Sequence, residues 1–130
     1  MTEKLWLFLT AIIAIIVYIQ SNAPSIISNE EFYDLQFDKI VHMSVWITLS
    51  FSLRLGINRR FNHFQNEHTH YFLAILIILS TFYGITDEIH QLFVPSRSSD
   101  IFDVLADFLG SIIGVLIGHA LVLYYEEKKE

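Results

Sequence analysis

The chain of 130 residues contains no cysteine, so disulfide frameworks and thiolate metal centres are both excluded. Charge is scarce as well. Asp, Glu, Lys and Arg make up 17% of the residues, against about 25% in a soluble domain. Eight basic residues face fourteen acidic ones, and the net charge of −6 comes without a basic patch interleaved with aromatics. Nucleic acid is therefore not an expected partner. No internal repeat, no low-complexity stretch, no His-Glu-x-x-His pair and no nucleophile elbow occurs. What the sequence has in abundance is apolar residues, 53% of the total, gathered into long blocks. Blocks of that length indicate an integral membrane protein with room for one domain.

Four spans are expected, over about residues 5–19, 39–56, 71–94 and 101–125. The first is short for a span, but Trp6 and Tyr18 can anchor it at the interfaces. A cleaved signal peptide is the rival reading there, because Ser21-x-Ala23 resembles a small-residue cleavage site. Pro24 directly after that site argues against cleavage, so an uncleaved span is expected. Residues 24–38 read as an acid-rich linker (Glu30, Glu31, Asp34, Asp38), and 58–70 as a polar connection holding Arg59, Arg60, His63, His68 and His70. Pro95 cannot continue helical hydrogen bonding and marks a tight turn.

The basic residues set the expected orientation. With both termini cytoplasmic, Lys4, Arg54, Arg59, Arg60, Lys128 and Lys129 lie inside, and Lys39 and Arg97 lie outside. Six against two satisfies the positive-inside rule. The expected fold is thus all-α, an integral membrane four-helix bundle with both termini cytoplasmic.

This orientation collects the unusual residues in one leaflet. The stretch from Tyr83 to Asp107 carries five carboxylates (Asp87, Glu88, Asp100, Asp103, Asp107) together with His90, Gln91 and Arg97. Lys39 and His42 join them from the second span. At about 100° per residue, Asp103, Asp107, Gly110 and Gly114 share one arc of the last helix. Ala106, Gly110, Gly114 and Gly118 form a small-xxx-small ladder that lets membrane helices approach closely. Ser80, Gly84, Asp87, Glu88 and Gln91 share a sector of the third helix, and Asp38, Lys39 and His42 one of the second. Three polar sectors at one depth predict a shared external pocket, because ionisable groups inside a membrane must pair or line a site.

The expected ligand-binding set is Lys39, His42, Asp87, Glu88, Gln91, Arg97, Asp103 and Asp107. Candidates for catalysis are Glu88, His90 and Asp103. Two readings of these groups compete. In one, the carboxylates make a polar site for a headgroup, a metal or proton transfer, and Arg97 and Lys39 hold a phosphate. In the other they pair with Lys39, Arg97 and His42 to lock the helices. Asp100 is expected to cap the last helix, and Ser98 and Ser99 to serve the turn. Carboxylates with His42 or His90 suit a divalent ion, but no tight ligand spacing accompanies them, so neither metal nor cofactor is assigned.

The chain resembles the VanZ family through three motifs. These are Asp38-Lys39-x-x-His42, then Tyr83-Gly84-x-x-Asp87-Glu88-Ile89-His90-Gln91, then Phe93-Val94-Pro95-x-Arg97-Ser98 followed by Asp103-Val104-Leu105-x-Asp107-x-x-Gly110. The resemblance runs from about residue 38 to 118. Two positions depart from it: Ser96 stands where the family usually has Gly, and Asp107 where many relatives carry Asn. The resemblance implies a single domain in the bacterial cytoplasmic membrane whose important residues face the cell surface. It also implies a link to resistance against teicoplanin, a lipid-bearing glycopeptide. Membrane lipids, and a lipid-linked glycopeptide or envelope precursor, are then the expected partners. An enzyme acting on a phosphorylated lipid or lipid-linked glycan is the alternative, and a structural module that binds a membrane-protein partner is the third reading.

Overall fold

A computed structural model describes residues 2–23, 31–57, 62–95, 97 and 99–128, with the side chains of 31–38 and 62–67 left aside. Four helices follow one another: α1 (Glu3–Ser21), α2 (Glu31–Gly56), α3 (Asn62–Gln91) and α4 (Ile101–Glu127). Residues 24–30, Arg59, Arg60, Ser96, Ser98 and Lys129, and the side chains of Glu31, Asp34, Asp38 and His63, lie outside the described residues.

Contacts along the helices fix their directions. Thr10 meets Ser52 and Gly56 meets Leu7, so α1 and α2 are antiparallel. Tyr83 donates to the Ala14 carbonyl and His90 meets Asn22, so α1 and α3 are parallel. Gly110, Gly114 and Gly118 of α4 abut the backbone of α2 at Met43, Ile47 and Phe51. Each contact advances four residues on both helices, so α2 and α4 run side by side in the same direction. The small-residue ladder read from the sequence is this seam, and α2 packs more extensively on α4 than on any other helix. The glycines are required there: a β-carbon at Gly114 would collide with the Ile47 carbonyl and the Ser50 hydroxyl.

The distribution of polarity is inverted relative to a soluble bundle. Among the described residues, eleven buried side chains are polar or charged and nine are apolar. Large apolar side chains such as Phe8, Ile19, Ile78, Phe82, Leu116 and Ile117 stand exposed on the outside. Such a surface is stable only against lipid. Three helices are long and apolar enough to cross a membrane: α1, residues His68–Gln91 of α3, and α4. Over the described residues, α2, where the second span is expected, is not one of these three. It carries Lys39, His42, Ser50, Ser52 and Arg54 and packs against α1, α3 and α4, while Ile40 and Val41 stand exposed.

Several boundaries differ from the sequence reading. Helix α2 begins at Glu31, eight residues before the expected span, because residues 31–38 of the expected linker are helical. Helix α3 begins at Asn62 and breaks its dihedrals at His68 (φ −134°, ψ 41°), so part of the expected connection is helical. At its other end α3 stops at Gln91, three residues short of the expected limit. The chain then turns through hydrogen bonds from Phe93 N–H to His90 O and from Val94 N–H to Gln91 O. Arg54, counted among the cytoplasmic cations, is 1% exposed; it meets His119 Nδ1 at 3.0 Å and lies over the Phe72 ring.

Candidate functional site

The polar sectors of α2, α3 and α4 meet where α2 leaves its N-terminal turns, α3 ends and α4 begins. Helical spacing explains the delivery. Lys39 and His42 lie three apart on α2, Asp87, Glu88 and Gln91 fall within one turn of α3, and Asp100, Asp103 and Asp107 follow one stripe of α4. Asp87, Glu88, Gln91, Asp103 and Asp107 are all buried.

Contacts within and between the helices hold the cluster together. The Lys39 ammonium donates to Asp100 Oδ2 at 2.6 Å and to Asp103 Oδ1 at 2.5 Å, clamping α2 to the start of α4. One turn deeper, His42 Nδ1 lies 3.2 Å from Asp107 Oδ1. Gln91 Nε2 donates to Asp87 Oδ2 at 2.9 Å and to Glu88 Oε1 at 3.3 Å, holding two like-charged neighbours in place. The Asp100 N–H donates to Glu88 Oε2 at 2.9 Å and fastens the end of α3 to the start of α4. Asp100 also caps α4 as expected, its side chain accepting from Phe102 N–H at 2.9 Å. The Lys39 ammonium, reinforced by that amide, holds the Asp100 carboxyl below the usual carboxylate range.

Beneath these groups lies an aromatic stack. The His42 ring stacks on Trp46 at 6.1 Å, and Trp46 on Tyr83 at 6.1 Å. Trp46 Nε1 donates to the Ser80 carbonyl at 3.0 Å, which fixes the indole and through it the imidazole. The sequence reading missed Trp46, although its place four residues after His42 puts both on one face of α2. Asp107 Oδ2 lies against Gly84, where a β-carbon would be 2.5 Å away. The missing side chain at Gly84 is what lets a carboxylate enter the contact between α3 and α4.

Two expected members stand elsewhere. Arg97 donates from Nε to the Ala23 carbonyl at 3.0 Å and from Nη2 to the Gln20 carbonyl at 2.8 Å. Its positive charge caps the C-terminal end of α1. His90 turns the same way, with Nε2 at 3.1 Å from Asn22 Oδ1 and its ring 5.4 Å from that of Tyr18. The imidazole beside the carboxylates is that of His42. Ligand atoms of His42, Glu88 and Asp103 lie within 4.8 Å of one another, a set able to hold a metal ion.

The VanZ/LLP1 family profile matches residues 4–123, nearly the whole chain. The chain belongs to the VanZ/LLP1 family. Membership, with the three apolar helices, makes it a membrane protein of a family tied to antibiotic resistance. Neither the curated proteins nor the solved structures yielded a match. In this VanZ-family chain the match spans all four helices, including the outlying α1 to which Arg97 and His90 are fastened.

Proposed function

We propose that this VanZ-family protein crosses the bacterial cytoplasmic membrane four times with both termini in the cytoplasm, and that its polar cluster engages lipid-linked molecules at the outer leaflet. The consequence is altered sensitivity to a lipid-bearing glycopeptide of the teicoplanin type. The observation that carries this reading is the meeting of Lys39, His42, Asp87, Glu88, Gln91, Asp103 and Asp107 at one end of the bundle. Buried ionisable groups in a membrane protein are retained for function unless pairing accounts for all of them, and here carboxylates exceed the cations beside them. The six-to-two distribution of basic residues supports an external position for that end.

The test is complementation of a deletion strain with the intact gene, Glu88→Gln and Asp103→Asn, with protein levels matched by immunoblot. The intact gene raises the teicoplanin concentration that stops growth, and both variants lose the increment. Variants equal to the intact gene in this and other envelope assays would overturn the proposal.

A second reading, an enzyme acting on a phosphorylated lipid or lipid-linked glycan, is favoured by the His42–Asp107 pair beside Glu88 and Asp103. An imidazole oriented by one carboxylate next to another carboxylate is an acid–base arrangement. It predicts a lipid species that accumulates in the deletion strain and in His42→Ala. Identical lipid extracts from deleted and complemented cells would remove it.

A further inference from the structure

We propose that His42, Glu88 and Asp103 form a binding site for one first-row divalent metal ion, Mn2+ or Zn2+. The three ligand atoms come from three different helices and lie within 4.8 Å of one another. A metal held about 2.1 Å from each ligand keeps such atoms about 3–4 Å apart, so binding would draw the three side chains together by about 1 Å. One imidazole with two carboxylates suits a first-row divalent ion.

Two further observations point to a cation. Asp107 Oδ1 faces His42 Nδ1 at 3.2 Å and holds the imidazole from the α4 side. A carboxylate behind a ligating histidine is the usual outer partner of a metal site, fixing the tautomer and raising ligand basicity. The second observation concerns charge. Asp87, Glu88, Asp103 and Asp107 are each less than a tenth exposed, and Asp107 Oδ2 has no hydrogen-bond partner. Among the described residues, Lys39 pairs with Asp103 and His42 with Asp107, two cationic groups for four carboxylates. Carboxylates buried in that ratio call for a further cation. Lys39 binds Asp103 through Oδ1 and Asp100 through Oδ2, so its ammonium is shared between two carboxylates.

An ion with three protein ligands keeps positions open for an oxygen of an anionic headgroup. It would reverse the sign of a site that otherwise repels phosphate. The metal site stands on geometry and charge and does not depend on the proposed role in resistance.

The experiment uses the full chain in nanodiscs, stripped with EDTA and titrated with Mn2+ and Zn2+ by calorimetry and native mass spectrometry. One ion per chain is expected, with at least tenfold weaker binding in His42→Ala and Glu88→Gln. Asp107→Asn should weaken binding about 10- to 100-fold through its histidine. His90→Ala, on the α1 side, should bind as the intact protein does. Where a variant fails to fold, the Mn2+ spin-echo spectrum of the intact protein decides, because a bound imidazole gives a nitrogen modulation. No bound ion, an ion without that modulation, or undiminished binding by Glu88→Gln would each overturn the site in favour of protonated carboxylates.

Discussion

Replacing Gly110 by alanine tests the link between the helix seam and the polar site. A β-carbon at this position would lie 2.5 Å from the Met43 carbonyl oxygen, 3.0 Å from Trp46 Cβ and 3.2 Å from the Ile47 nitrogen. Two of the three atoms are backbone and cannot rotate away. Ordinary contact begins at 3.4 Å, so α2 and α4 must part by about 0.9 Å. His42 precedes Met43, and Asp107 lies one turn before Gly110, so the displacement falls on their 3.2 Å contact. It would open to about 4 Å, too long for a hydrogen bond. Overpacking costs about 1–3 kcal/mol, and stranding a buried carboxylate about 1–3 kcal/mol. Because one movement causes both, about 2–4 kcal/mol of destabilisation is expected. Helix propensity acts the other way, since alanine is favoured over glycine by about 1 kcal/mol in a helix interior. The sign of the result therefore separates a tight seam from a loose one. Reversible unfolding in mixed micelles provides the measurement, with Ile113→Ala, on the exposed face of α4, as the control. A Gly110→Ala protein as stable as the intact chain, or more stable, would refute the reasoning.

Two more outcomes follow from other contacts. Asp100 is held below its usual pKa in the folded chain, so its contribution to stability is full above the ordinary value of 3.8 and disappears as pH falls through the lower folded value. An acid titration of unfolding should show that loss in the intact protein and not in Asp100→Asn; equal acid sensitivity would remove Asp100 as its source. Arg97→Ala should cost about 1 kcal/mol and speed hydrogen exchange at Asn22 and Ala23, while leaving metal affinity unchanged. Loss of the resistance phenotype with unchanged exchange would instead make Arg97 a residue that touches the ligand.

The parts of this architecture that were legible in the sequence are those written in helical phase. Ser80, Gly84, Asp87, Glu88 and Gln91 share one sector because of their spacing, and the structure buries all of them. The ladder from Ala106 to Gly118 announced a close helix partner for the same reason, although spacing alone did not say that the partner is α2. What stayed hidden depends on contacts between distant segments. Arg97 bonds to carbonyls more than seventy residues away, at a helix end that no local pattern marks as its destination. The choice between His42 and His90 as the imidazole of the site was closed in the same way. Both lie near the right depth, but packing of α1 against α3 draws His90 to Asn22. The start of α2 was misread because an acid-rich segment has the composition of a linker whether or not it is helical.

The place of α2 bears on how the protein is made. Of the four helices it is the one with Lys39, His42 and Arg54 and, over the described residues, the one outside the three long and apolar enough to cross a membrane. Charged side chains at the two ends of a span, as Lys39 and Arg54 are here, weaken its release from the translocon into lipid. Partners of Lys39 and His42 lie on α4, which is synthesised after α2. In a four-span topology, α2 is expected to complete its insertion only once α4 has emerged to pair with Lys39 and His42. Truncating the chain before α4 should then leave α2 outside the bilayer, so the acidic start of the last helix is also the signal that the central one may enter.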